Sequence, residues 1–160
     1  MDKVNKIGLD ALEFAVNAHQ MQKRLRSNVP FVIHPIRVGN HLYNLYGDAH
    51  LAAAGYLHDT LEDTDTTEDD IKVRFGGWIL DRVKDVTKVE GQLWPYPTHR
   101  DSLRLKAADT YDNVTNNISD GYTPKPIKVG YWRDIHQYAS KYIHGELILD
   151  LLDAAIKEFE

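Results

Sequence analysis

The run His58-Asp59-Thr60-Leu61-Glu62-Asp63 combines side chains that could bind a metal and direct a water molecule. It sets an imidazole, a carboxylate and a second acidic pair within two helical turns. If the helix continues through His58, Glu62 lies one turn from His58 and Asp63 one turn from Asp59, so both acids face the same point. This arrangement suits a divalent metal with its attacking water, and therefore hydrolysis. The alternative for the acids is a solvated helix end.

Two residues distant in sequence extend this group. His34 precedes Pro35, and because proline is best tolerated in the first turn of a helix, we expect His34 at a helix start beside the core. Asp109 lies among apolar residues of a helical segment, and a carboxylate at that depth needs a partner, either a metal or a base such as Lys106 or Arg104. Two imidazoles and two carboxylates suit manganese, iron or zinc better than calcium.

Helices are the elements predicted to position these residues. The first helix is expected to bury a stripe of Leu9, Leu12, Ala15, Val16 and Gln20, and the second to turn Val38, Leu42 and Leu45 inward. Asp48 is expected to cap a third helix, in which Ala52, Ala53, Ala54 and Gly55 permit close helix contact.

The remaining segments continue the helical pattern. Thr66 or Thr67 is expected to cap a fourth helix that ends at Gly76-Gly77, a fifth covers about 78–87, a sixth starts at Arg100, and one or two more follow. Residues 88–99 include Pro95 and Pro97, so we expect them to form a mobile or substrate-facing flap. No strand emerges, and residues 1–160 are predicted to form one compact, single-domain, all-α bundle of about 7–8 helices.

Composition narrows the functional classes. The chain has 160 residues, no cysteine and a formal charge of −5, so a metal site must use His and carboxylates, and binding to duplex nucleic acid is disfavoured. Without a membrane-length apolar run or a signal-like N-terminus, we expect a cytoplasmic protein that does not bind membranes. The run Lys23-Arg24-Leu25-Arg26 is either a contact for a small anion or a solvated helix end. A homo-oligomer remains open. Four histidines are interpreted as surface or second-shell groups: His19, His41, His50 and His99.

The order His34, His58-Asp59, Asp109 resembles the HD-domain phosphohydrolases, and more closely the hydrolase domain of RelA/SpoT proteins and the small alarmone hydrolases. Residues 9–115 carry the likeness through three segments: Pro30-Phe31-Val32-Ile33-His34-Pro35, His58 to Thr67 with Phe75-Gly76 after it, and Leu105-Lys106-Ala107-Ala108-Asp109 with Asn113. Where the family often has a second basic residue after the arginine, this chain has Leu25.

The resemblance implies roles for individual residues. The expected metal ligands, usually for Mn²⁺, are His34, His58, Asp59 and Asp109. Glu62 and Asp63 would be the catalytic acids. The expected substrate contacts are Arg24, which would pack on the nucleobase, Asn113, which would contact the nucleoside, and Lys106.

The implied function is metal-dependent hydrolysis of the 3′-pyrophosphate of a (p)ppGpp-like alarmone, with guanine and adenine forms both open. Its partner would be a small nucleotide. Two alternatives remain: an HD phosphohydrolase acting on a deoxynucleotide or an NADPH-like nucleotide, and a non-catalytic nucleotide-binding or antitoxin-like module.

Overall fold

A computed structural model describes residues 3–24, 28–88, 90–92 and 94–159. These residues form helices α1 (Lys3–Ala18), α2 (Ile33–Tyr46), α3 (Ala49–Leu57), α4 (Thr60–Asp63), α5 (Glu68–Phe75), α6 (Gly77–Val86), α7 (Arg100–Ser119), α8 (Pro126–Ser140) and α9 (Leu147–Lys157). Within the described ranges the only strand-like pairing is an isolated bridge between Lys23 and Pro30. The all-α class is confirmed. No helix in this part of the chain is both long and apolar enough to cross a membrane.

The chain divides into two compact units, residues 1–97 and residues 98–160. Helices α1 to α6 belong to the first unit, and α7 to α9 belong to the second. A single domain over 1–160 stays a prediction.

Helix α3 forms the centre of the first unit. Every residue from Ala49 to Leu57 except the exposed His50 is buried, and the helix packs against α1, α2 and α6. Its contact with α2 is so close that a Cβ on Gly55 would lie 2.8 Å from the Cα of Gly39. The predicted close contact through small residues is therefore confirmed.

The buried face predicted for α1 is partly wrong. Ala11, Ala15 and His19 are fully buried, whereas Leu9 is 51% exposed and Val16 41% exposed. Gln20 is also exposed. Because α1 lies against the small-residue helix α3, its inward face is set by small side chains rather than by the largest apolar ones.

The third helix does not continue through the acidic run. It ends at Leu57, and the single turn α4 begins only at Thr60. The Thr60 hydroxyl donates to the Leu57 carbonyl at 2.7 Å, a local bond that competes with regular helix pairing. The condition that the helix continues through His58 is therefore not met. Asp63 nevertheless remains one turn from Asp59, since its N–H donates to the Asp59 carbonyl at 2.9 Å.

The predicted caps are confirmed. The Asp48 side chain accepts from the N–H groups of His50 and Leu51 at the start of α3. Thr67 and Asp70 form a reciprocal capping box at the start of α5. Gly76 follows α5 with φ +87°, a conformation that favours glycine.

Trp94 anchors the segment that was predicted to be a mobile flap. Its side chain is 1% exposed, and its ring centroid lies 4.2 Å from that of Tyr96. The buried indole fixes the chain at this point, and a mobile or substrate-facing flap formed by the rest of residues 88–99 stays a prediction. Val89 and Leu93, which the same prediction included, lie outside the described residues.

In the second unit α7 packs on α8 and α9. The Asp153 carboxylate of α9 accepts hydrogen bonds from Lys157 on the same helix and from Arg133 on α8. These bonds, with the Lys157 bond contributing most, lower the pKa of Asp153 to about 2. An ion pair thus links α8 to α9.

Candidate metal centre

His34 lies in the first turn of α2, as its position before Pro35 predicts. Its N–H donates to the Phe31 carbonyl at 2.9 Å, and the residue is 3% exposed. The segment before α2 therefore brings the imidazole into the interior of the first unit.

His58 follows the last residue of α3, where a backbone contact fixes its ring. Its Nδ1 lies 2.8 Å from the Gly55 carbonyl oxygen. Because a carbonyl can only accept, Nδ1 carries the proton and Nε2 is left as the nitrogen that can bind a metal. The Gly55 carbonyl thus selects the tautomer that a ligand requires.

Asp59 lies between the two imidazoles. One carboxylate oxygen is 3.1 Å from the His58 Nε2, and the other is 3.5 Å from the His34 Nε2. The potential ligand nitrogens of His34 and His58 lie within 4.8 Å of each other. These three residues therefore gather two nitrogen donors and one carboxylate at one point, a mixed set that fits a divalent first-row metal.

The acids of α4 follow one turn later. The Glu62 carboxylate accepts from the Lys88 N–H at 3.1 Å, which orients it. Partial burial, followed by repulsion from Asp59 and Glu62, raises the pKa of the Asp63 carboxyl. This concentration of carboxylates favours a cation nearby.

An open cavity of about 600 Å³ adjoins the acids. Glu62 and Asp63 line one part of it, and the other lining residues are Ala18, Gln20, Met21, Gln22, Thr64 and Asp65. Its volume is in the range of small-molecule sites. Both predicted catalytic acids can therefore be reached by a ligand of nucleotide size.

The other expected ligand, Asp109, lies in the second unit, in the middle of α7. It is 8% exposed, and its carboxylate accepts from Lys106 at 2.9 Å and from Asn113 at 2.7 Å. The unit thus groups Asp109 with two of the predicted substrate contacts, both of which hold its carboxylate in place.

Arg24 lies where the chain turns back toward α2. Its N–H donates to the Val29 carbonyl at 2.9 Å. Residues 25–27 lie outside the described residues, including Leu25 and Arg26 of the basic run. Its contact with a nucleobase stays a prediction.

Sequence reasoning missed two features around the site. His19, interpreted as a surface or second-shell group, is fully buried, so the surface alternative is wrong. The threonines of the His58 to Thr67 run close the turns around the acids: the Thr64 hydroxyl donates to the Thr60 carbonyl at 2.7 Å. Their spacing of four residues was the available signal for this role.

A model of the family described as HD domain matches residues 11–108. The chain belongs to the HD-domain family. The match covers His34, the His58-Asp59 pair and both acids, and it ends one residue before Asp109. Membership of the HD-domain family implies a divalent metal, and the donor atoms around Asp59 fit one.

Several relatives of this HD-domain chain have names that state an activity. A guanosine-3′,5′-bis(diphosphate) 3′-pyrophosphohydrolase of Aquifex aeolicus is 32% identical over 85% of this chain and 24% of its own length. The mouse protein MESH1, which has the same activity in its name, is 39% identical over 49% of this chain and 46% of its own length. The chain thus spans about a quarter of the first relative and less than half of the second.

A solved structure extends the likeness to the fold. The protein in that structure is described as a metazoan ortholog of SpoT that hydrolyzes ppGpp and plays a role in starvation responses. The two structures match with a TM-score of 0.76 and 20% sequence identity. The match covers 99% of this chain and 98% of that one. At this identity the likeness establishes the all-α HD-domain fold.

Proposed function

We propose that this HD-domain chain is a metal-dependent phosphohydrolase that removes pyrophosphate from the 3′ position of a guanosine tetra- or pentaphosphate. The observation that carries the proposal is Asp59 between the Nε2 atoms of His34 and His58, with two acids one turn later beside an open cavity. The names of the Aquifex and mouse relatives supply the substrate class.

The ligand set that we propose is His34, His58, Asp59 and Asp109, and the ion is Mn²⁺. A divalent ion bound there would lower the pKa of water and offset charge that develops on a phosphoryl oxygen. Asp59 would neutralise part of the charge of the ion, while the Gly55 carbonyl keeps His58 in the required tautomer.

Glu62 and Asp63 are proposed to handle the attacking water. Held by the Lys88 N–H, Glu62 can orient the water, and the Asp63 carboxylate one turn from Asp59 can accept its proton. Attack of this water on the phosphorus next to the 3′ oxygen would break the bond between them and release pyrophosphate without a covalent intermediate. The proton taken up by Asp63 would pass to the departing 3′ oxygen. No nucleophilic side chain is required in this account.

Substrate contacts are assigned to three basic or amide residues: Arg24 for the base, Asn113 for the nucleoside and Lys106 for phosphate. Lys106 and Asn113 also hold the Asp109 carboxylate. Each can therefore couple the position of the substrate to that of Asp109, the proposed metal ligand. A small nucleotide is the proposed partner, and the cytoplasm the proposed location.

A nucleotide panel tests the substrate class. The purified chain with Mn²⁺ is incubated with guanosine and adenosine alarmones, a deoxynucleoside triphosphate and NADPH, and products are separated by ion-exchange chromatography. We expect pyrophosphate from the guanosine alarmones. Turnover only of the adenosine alarmone, the deoxynucleotide or NADPH would contradict this substrate class, and binding without turnover of any nucleotide would indicate a non-catalytic module.

A further inference from the structure

His19 is a fully buried imidazole with no place in the mechanism above. It directly follows α1, and its N–H donates to the Ala15 carbonyl at 3.0 Å. The Nδ1 atom lies 2.7 Å from the Gln22 Oε1, whereas Nε2 is buried without a hydrogen-bond partner among the described residues. The bond to Gln22 therefore gives the buried ring a polar partner at Nδ1.

The bonding of Gln22 fixes the direction of this contact. Its side-chain Nε2 donates to the backbone carbonyl of Asp63. Since that carbonyl can only accept, the Gln22 amide has one allowed orientation, with Oε1 toward His19. His19 must then carry its proton on Nδ1. The result is a directed series of hydrogen bonds from His19 through Gln22 to Asp63.

Gln22 also joins segments that lie far apart in sequence. Its backbone N–H donates to the His19 carbonyl at 3.0 Å, and its carbonyl accepts from the Phe31 N–H at 2.9 Å. The Phe31 ring lies between two imidazoles, with centroid distances of 5.0 Å to His19 and 6.0 Å to His34. One residue thus connects the end of α1, the segment that leads to His34, and the acidic turn.

The acidic turn needs such a connection. Helix α4 has only 4 residues, and one turn of helix is not stable by itself in water. Its last carbonyl, that of Asp63, has no partner within the turn, and Gln22 supplies the donor. The position of Glu62 and Asp63 relative to His34 therefore depends on a contact 41 residues away in sequence.

From this geometry we infer that His19 and Gln22 are a positioning pair, which holds the acidic turn 60–63 in register with the metal-binding imidazoles. The inference rests on the proposed function for its kinetic consequence, though not for the hydrogen bonds themselves. Neither residue needs to touch substrate. A displacement of about 1 Å at a reacting group can cost about a hundredfold in rate, so a distant contact of this kind can control turnover.

The kinetic test uses the variant Gln22→Met. Methionine keeps the length of the side chain and removes its hydrogen bonds to His19 and to the Asp63 carbonyl. Gln137→Met is the matched control, because Gln137 is exposed on α8 and does not line this cavity. We expect Gln22→Met to lower kcat at least tenfold while KM and the Mn²⁺ Kd from calorimetry change less than threefold. Equal kcat in the two variants, or a loss confined to KM, would overturn the pairing.

Conservative variants separate positioning from mere packing. His19→Asn places an amide N–H near the position of Nδ1 and should recover most of the turnover that His19→Phe loses. Gln22→Glu keeps the acceptor for His19 and removes the donor to Asp63, so it should behave like Gln22→Met. If Gln22→Met does not fold, Gln22→Glu provides the same test of the bond to Asp63. Full activity of His19→Phe or Gln22→Glu would contradict the account.

A readout without substrate keeps this inference separate from the proposed function. Nitrogen NMR of the wild-type chain should show His19 protonated at Nδ1. Amide exchange of Asp63 and Thr64 should accelerate at least tenfold in Gln22→Met but not in Gln137→Met. An Nε2-protonated His19, or unchanged exchange in Gln22→Met, would refute the positioning pair. Absence of turnover in the wild-type chain would refute only the proposed function.

Discussion

Individual residues of the acidic turn are expected to separate metal binding from chemistry. Glu62→Gln and Asp63→Asn keep side-chain size and remove a charge that could act on the attacking water. We expect each to lower kcat by about 10²–10⁴-fold, the usual contribution of a general acid or base. The Mn²⁺ Kd, measured by calorimetry, should change little, because the ligand atoms remain.

The control for these variants is Asp65→Asn, which lines the same cavity and is exposed. Its kcat should match that of the wild-type chain. If Asp65→Asn were as inactive as Asp63→Asn, the acids would act through the total negative charge of the cavity and not through specific contacts with the attacking water.

Individual site residues could be predicted from the sequence where the residue type itself determines the local structure or the chemistry. His34 at a helix start and the spacing from Asp59 to Asp63 could be predicted because proline and helical periodicity are local signals. The burial of His19 could not, since its partner Gln22 is held by the backbone carbonyl of Asp63, which is 41 residues away. Long-range hydrogen bonds of this kind leave no periodic trace in one sequence.

Among the helices, the contact of α2 with α3 sets the separation of His34 from His58. A methyl group on Gly55 would lie 2.8 Å from the Gly39 Cα and from a Leu42 methyl carbon, so the helices would have to separate. We expect Gly55→Ala to lower the free energy of unfolding by about 1–3 kcal/mol, the usual cost of overpacking. Urea unfolding followed by circular dichroism measures this.

Gly130→Ala is the matched control, because Gly130 lies within α8 and its added methyl would contact nothing within 4 Å. Alanine is the better helix former by about 0.5–1 kcal/mol, so this variant should be more stable than the wild-type chain. Similar losses in both variants would refute the close-contact account.

The link between α8 and α9 predicts an acid-dependent loss of stability. The pKa of Asp153 falls from an ordinary 3.8 to about 2 through its bonds to Lys157 and Arg133. Because the folded-state pKa is lowered, the stabilisation is complete above the ordinary value and is lost as pH falls from about 4 to 2.

Unfolding midpoints across this range measure the effect. The difference in stability between wild type and Asp153→Asn should be largest at neutral pH and shrink as pH falls below the ordinary pKa of Asp153. A difference that stays constant down to the lowest pH would show that the carboxylate charge contributes nothing.

The elements could be predicted wherever a cap or a glycine marks them. Asp48 was sufficient to place the start of α3, and Thr67 and Gly76 were sufficient to place both ends of α5. The break after Leu57 was missed, because the Thr60 hydroxyl competes with the helix only in the folded geometry. The face of α1 was misassigned since apolar size, as at Leu9, does not reveal that the neighbouring helix is built of alanine and glycine.

For the whole molecule, the proposed ligand set draws on both compact units, so metal should stabilise the entire chain. A ligand that binds only the folded state adds about 2.7 kcal/mol at 100 times its Kd. We expect Mn²⁺ to raise the Tm in differential scanning fluorimetry, and Asp109→Asn to lose most of this increase. The exposed Asp150→Asn should keep it. An increase unaffected by Asp109→Asn would remove that residue from the ligand set.

The fold class followed from helical periodicity along the chain, and the HD-domain family from the order of His34, His58-Asp59 and Asp109. The division at residues 97 and 98 could not be predicted, because no linker composition marks it. Burial of Trp94 close to this division was equally hidden, since two nearby prolines gave the signal of a loose loop.

Phosphorus NMR of ppGpp incubated with the chain and Mn²⁺ distinguishes hydrolysis at the 3′ position from any other cleavage. We expect the resonances of the 3′-diphosphate to disappear, a single pyrophosphate resonance to take their place, and the 5′-diphosphate to remain unchanged. The reaction should stop when the metal is chelated. Release of orthophosphate, or loss of the 5′-diphosphate, would contradict the proposed function.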